Sequence, residues 1–146
     1  SNSPYIVAGG GGGCGGTWYL WGYPGIITQT DSGTGPAGKA GYGSYSSPGA
    51  GFNTNGTDNA YSGGSSAYAF VNGGTGGNGY STGYGGFGSG GGNDSATGGG
   101  GGGYSGGNGA SFDMPAPGGG SYNAGSNQSN TGGANAGYGK VTISLN

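Results

Sequence analysis

Strict alternation of apolar and polar side chains occurs in one place along this chain. Residues 140–146, KVTISLN, set Val141, Ile143 and Leu145 against Thr142 and Ser144, the period-two pattern of a half-buried β-strand. Three other stretches have strand character. Residues 4–8 (PYIVA) run directly into five glycines, and residues 66–71 (SAYAFV) place Tyr68 and Phe70 on one face ahead of the turn signal Asn72-Gly73. Residues 17–30 (TWYLWGYPGIITQT) offer two β-prone runs, 17–21 and 26–30, around Tyr23-Pro24-Gly25. That arrangement predicts a hairpin.

No window carries the 3.6-residue period of a helix, because Gly and Ser dominate every stretch long enough to count. Residues 31–65 are largely Gly, Ser, Asn and Pro with scattered Tyr, and residues 123–135 are polar; both read as loops. Residues 73–109 form a glycine-rich interior containing the unbroken run Gly98, Gly99, Gly100, Gly101, Gly102 and Gly103. The expected organisation is a single domain over residues 1–146, with β-prone ends bracketing a glycine lattice.

Composition sharpens that picture. Glycine supplies 48 of 146 residues, against a usual share of about 7%. Hydrophobic residues make up only 29%, a level at which a chain ordinarily remains disordered, so a low-complexity segment without a fold is one reading. If the chain orders, backbone rather than side chains must hold it. Extended left-handed strands of the polyproline II type bond to nothing internally, leaving every N–H and C=O free to bond sideways. Glycine lets such strands approach closely, where any Cβ would intervene. The six-residue run 98–103 would span about 19 Å at ~3.1 Å per residue. Collagen is excluded, because it needs Gly at every third position and residues 41–56 (GYGSYSSPGAGFNTNG) break that period. The regular three-residue rhythm of a glycine-rich antifreeze bundle is also missing from the sequence. The closing period-two strand favours a folded domain, since a low-complexity tail has no reason to end in one.

Charge removes whole classes of function. Lys39 and Lys140 are the only basic residues, Asp31, Asp58, Asp94 and Asp113 the only acidic ones, and there is no Arg, Glu or His. Nucleic-acid binding requires many Lys and Arg contacts to phosphate, and a polybasic membrane patch fails on the same count. No apolar run approaches the ~20 residues of a membrane span, and no signal peptide is recognisable, so a soluble chain without membrane insertion is expected. The scattered aspartates lack the spacing of an EF-hand or a calcium-binding nonapeptide. G-x-G-x-x-G strings arise trivially here and lack the strand–helix context of a phosphate cradle. No catalytic, metal or cofactor residue is expected, and the chain is read as a non-enzyme.

The remaining candidates concern assembly and recognition. Cys14 is the only cysteine; it is either an interchain thiol or a small residue among glycines, and no His exists to activate it. Trp18, Tyr19, Trp21 and Tyr23 form the densest aromatic cluster. They fit a small core over the end of the bundle, a subunit contact or a platform for sugar rings. The tyrosines at 42, 45, 61, 80, 84, 104, 122 and 138 read as surface studs or spacers between glycine rods. Asn55, Asn93 and Asn127 head N-glycosylation sequons, a number that chance alone provides in so polar a chain, and the many Ser and Thr are open to O-linked sugars.

The motif order resembles a known family. IVAGGGGG near the start, GYGGFGSGGG and GGGGGGYSGGNG in the middle, then GGGSYNAG and the terminal GYGKVTISL look like the extracellular glycine-rich domain of the anaplastic lymphoma kinase and leukocyte tyrosine kinase receptors. Many secreted microbial proteins carry similar sequences. The resemblance runs from Tyr5 to Leu145. It implies polyglycine II helices in a roughly hexagonal array with peripheral strands, in an extracellular, non-enzymatic module. The family's further strands ahead of the first glycine run are missing here, as are a kinase domain and a membrane span, so receptor signalling and ligand-contact residues do not carry over. Phage tail-fibre tips are similar in material, and use variable loops for host recognition.

The expected fold is therefore irregular and all-β-like without α-helix, a bundle of polyglycine II helices with a few short strands at its ends. The expected function is a self-assembling subunit of a cell-surface filament or matrix fibre, with strand edges that template the next copy. A monomeric receptor-like or adhesin-like module is the alternative, binding a protein or glycan through the loops at 31–65 and 123–135.

Overall fold

The computed structural model describes residues 3–14, 21–28, 46–57, 65–79, 83–87, 90–93, 97–111 and 114–134. The expected strand at 140–146 and the flanks 17–20 and 29–30 lie outside them. Regular secondary structure is sparse. β1 (Ile6–Val7) pairs antiparallel with β2 (Tyr122–Asn123), in the register Ile6↔Asn123 and Val7↔Tyr122. One 3-10 turn spans Phe70–Asn72, and Gly73 closes it at a φ of 104°, in the left-handed region. Among the described residues there is no α-helix, and the fold is irregular and non-helical as the composition predicts.

Backbone hydrogen bonds between extended segments organise the rest, and the six-glycine run is their hub. The carbonyls of Gly98 and Gly101 accept from Ala110 and Gly107. Those of Gly99 and Gly102 accept from Gly13 and Gly10. The Gly100 carbonyl accepts from Gly91, while the Gly100 and Gly101 amides donate to the Ser47 and Pro117 carbonyls. Segment 97–103 thus bonds to five neighbours: 105–111, 8–14, 90–93, 46–51 and 114–121. Partners recur every three residues, so one face of the run serves one neighbour along its length. The same step of three joins the 8–14 segment to 114–121, through Ala116 to Gly13 and Gly119 to Gly10.

Close approach explains why these positions are glycine. A methyl group at Gly98 would strike the Gly13 carbonyl oxygen, at Gly99 that of Gly91, at Gly100 that of Gly107 and at Gly101 that of Gly10. Backbone cannot step aside as a flexible side chain can. The Cα–H groups at these positions instead face carbonyl oxygens, the geometry of weak Cα–H···O contacts.

The interior contains little hydrocarbon. Its largest fully buried side chains are Pro48, Ser46, Ser47 and Ser105. The buried serines complete the backbone network, as buried hydroxyls must. Ser46 Oγ donates to the Gly98 carbonyl at 2.5 Å, and Ser47 Oγ donates to the Ser65 carbonyl at 3.2 Å. Thr97 departs from this rule, since its buried Oγ1 has no partner among the described residues.

Several expectations change. Residues 46–52, read as part of a long loop, are buried throughout. A hydropathy reading places Ser, Pro and Gly outside, whereas a lattice of backbone places them at its centre. Tyr23-Pro24-Gly25 does not turn. Tyr23 and Ile26 donate to the Ala116 and Gly119 carbonyls in a parallel step of three, so 21–26 runs straight beside 114–121. In 66–71 the predicted sidedness holds, with Ala67 and Ala69 buried and Tyr68 and Phe70 exposed. Its C-terminal end is the 3-10 turn rather than a strand, because Asn72 and Gly73 bond back to Ala69 and Phe70. The hydrogen-bonded lattice also extends beyond 73–109, to 8–14, 46–51 and 114–121. No helix among the described residues is long and apolar enough to cross a membrane.

Candidate functional site

Where the glycine segments end, side chains take over. Phe52 follows Gly51, Tyr104 follows Gly103, and Tyr122 comes two residues after Gly120. Backbone bonds hold these ends level: Phe52 donates to the Tyr104 carbonyl, Tyr104 to that of Gly120, and Val71 to that of Phe52. The result is a row of four stacked rings. Phe70 and Phe52 have centroids 5.6 Å apart, Phe52 and Tyr104 6.4 Å, and Tyr104 and Tyr122 4.6 Å, all within the range of favourable ring pairs. Phe52 anchors the row at 7% exposure.

β1 lies beside this row and leaves a groove of about 480 Å³, lined by residues 4–8 with Phe52, Phe70 and Gly103. The surroundings are apolar and uncovered. Ile6 is 65% exposed, and Tyr5, Tyr68, Phe70 and Val71 are also exposed. β2 occupies one edge of β1, and among the described residues no strand pairs with the other. Among the described residues no Asp or Lys lines the groove, and its one ionisable side chain is the Tyr5 phenol. It offers apolar surface next to free strand backbone, which suits an extended chain or apolar side chains.

The sites singled out in the sequence fall elsewhere. Trp21 is 87% exposed and Tyr23 is exposed, neither of them forming a core; Trp18, Tyr19, Val141, Ile143 and Leu145 lie outside the described residues. Cys14 is a free, exposed thiol. Asn55 holds the 3-10 turn, its Oδ1 accepting from the Ala69 amide at 2.8 Å and from Asn72 Nδ2 at 2.9 Å. Asn93 is exposed and lies against Gly83. Asn127 is exposed at a φ of 56°, a left-handed conformation that Asn tolerates better than most residues. Of the dispersed tyrosines, Tyr84 is an exposed stud, while Tyr104 and Tyr122 are half-buried members of the ring row. Among the described residues no three His, Cys, Asp or Glu side chains gather as metal ligands would.

A second ordered surface is polar. In the 123–134 stretch, Asn123 Nδ2 donates to Asn130 Oδ1, Gln128 Nε2 donates to the Asn123 and Gly125 carbonyls, and Asn130 Nδ2 donates to Gln128 Oε1. The loop is exposed yet internally bonded.

The ring row escaped the sequence reading because its members are far apart in the chain. A signal existed all the same: Phe52 and Tyr104 each directly follow a glycine, where backbone contact gives way to side chains. No protein-family model, curated protein or solved structure matches this chain.

Proposed function

We infer that this protein is a bundle of polyglycine II helices acting as a non-enzymatic, extracellular structural module that assembles with copies of itself. The three-residue recurrence of partners around 97–103 supports the helix type, which has three residues per turn and no internal bonds. The resemblance to receptor and microbial glycine-rich domains supports the extracellular location.

The observation carrying the assembly reading is the uncovered groove beside the open edge of β1. Exposed strand edges accept further strands, and apolar patches rimmed by polar surface mark interaction sites. In this reading the alternating segment 140–146 of a neighbouring copy supplies Val141, Ile143 and Leu145 to the groove. Trp18, Tyr19, Trp21 and Tyr23 extend the contact, and Cys14 links copies covalently.

Sedimentation velocity over a wide concentration range, with and without reductant, tests this. Uniform polymers that Ile6→Lys abolishes are expected, since a charge on an edge strand blocks further pairing. Loss of polymer in reductant would assign Cys14 its linking role. A compact monomer at every concentration would overturn assembly. It would favour the second reading, a recognition module whose internally bonded 123–134 loop takes a protein or glycan ligand.

A further inference from the structure

The five neighbours of segment 97–103 form an incomplete ring. Going round it, 8–14 bonds to 114–121, which bonds to 105–111 through Gly120 and Ser105. Segment 105–111 bonds to 46–51 through Gly107 and Gly49, and 46–51 to 90–93 through Ser47 and Gly92. Among the described residues the circuit stops there, because no bond joins 90–93 back to 8–14. Parallel rods packed around a central one occupy six positions, and the described residues fill five.

At the sixth lies a groove of about 260 Å³. Residues 11–14 form one wall, Gly90 and Gly91 the other, and Gly99 and Gly100 the floor, with Tyr84, Gly85, Gly86 and Asn93 completing the lining. The groove is lined mainly by glycine backbone, unlike the apolar groove beside β1. The three-residue repeat decides what faces it. In segment 8–14 the amides of Gly10 and Gly13 serve the central run and that of Gly12 serves Tyr23. The remaining register, Gly11 and Cys14, lines the groove, and neither makes a backbone hydrogen bond among the described residues. Gly99 uses its carbonyl but not its amide.

We propose that this groove is an empty rod position that binds one extended, glycine-rich segment from a second copy of the chain. Walls of backbone at this spacing admit a strand without side chains and reject one with them. Four residues of wall correspond to about 12 Å, or four residues of extended guest at ~3.1 Å each. The unused amides of Gly11, Cys14 and Gly99 donate to the guest's carbonyls. A chain that is one-third glycine carries the matching guest itself, and a net charge of only −2 leaves little repulsion between copies. The proposal rests on the assembly reading and deepens it, adding a contact separate from the β1 edge.

The test uses the intact chain and an acetylated, amidated hexaglycine peptide, with the hexa-alanine peptide as control. Amide shifts of Gly11, Cys14 and Gly99 in NMR spectra should move with hexaglycine and not with hexa-alanine. Two changes should block the groove without touching the fold. One is a bulky maleimide on the exposed thiol of Cys14. The other is Gly86→Val, at a lining position where a Cβ meets nothing within 4 Å. Each should weaken hexaglycine binding by at least about tenfold, equivalent to about 1.4 kcal/mol, while a methylthio group on Cys14 should leave that binding intact; Gly86→Val, which keeps the thiol, should weaken self-association as well. Assembly that Gly86→Val does not affect, with no hexaglycine response, would overturn the groove and leave assembly through β1 standing. A chain that stays monomeric but binds hexaglycine in the groove would uphold the site and overturn the assembly reading. A monomer with no hexaglycine response would overturn both.

Discussion

The hydrogen-bonded network around the glycine run and the ring row beside it are made of opposite materials. Around 97–103, segments touch backbone to backbone, and the largest fully buried side chains are Pro48 and serines. At the row, Phe52, Phe70, Tyr104 and Tyr122 pack ring on ring over a few residues of strand. In the first region a side chain is an intrusion, and hydrogen bonds set the spacing. In the second, side chains provide the cohesion and leave an apolar surface uncovered. The stable interior and the adhesive end therefore answer to different substitutions.

The sharpest way to break the comparison is to place a side chain in the lattice. Gly100→Val drives a branched group into the Gly107 carbonyl and should cost more than the ~3 kcal/mol usual for overpacking, removing the cooperative melting transition. Asn127→Ala in the exposed loop serves as the reference and should cost about 1 kcal/mol or less, as expected for a residue held left-handed. Equal, mild losses for the two would dispose of the backbone lattice. At the row, Phe52→Ala should cost about 3 kcal/mol in a denaturant titration while leaving the lattice folded. A loss as large as that of Gly100→Val would mean the two regions are one cooperative core. The smallest change should stabilise: Thr97→Val removes the buried hydroxyl that lacks a partner and should add about 1 kcal/mol. A destabilised Thr97→Val would show that the hydroxyl has a partner in solution.

The lattice was legible in the sequence as hydrogen-bond arithmetic: a glycine run that can bury no side chain must bond sideways. Its extent was not. Ser46, Ser47 and Pro48 read as loop because burial is ordinarily inferred from hydropathy, and here the buried material is peptide. The three-residue rhythm was hidden as well. Glycine is needed only where a Cβ would meet a neighbouring carbonyl, as at Gly106 and Gly109 facing the Gly49 and Ser46 carbonyls, and other positions in the rods take Ser, Ala or Pro. Sequence density drew attention to Trp21 and Tyr23, which are exposed, and away from four rings that only the ends of separate rods bring together.

The scarcity of buried hydrocarbon has a thermal consequence. Exposing apolar surface raises the heat capacity of unfolding, whereas exposing peptide lowers it. A protein whose interior is mostly peptide releases little of the first and much of the second when it melts. Its free energy of unfolding should then run nearly straight with temperature, rising as the protein is cooled and falling steadily on heating as the entropy of the released chain takes over. Cold denaturation, which a fading apolar term imposes on a side-chain core, should not limit a fold whose filling is glycine backbone.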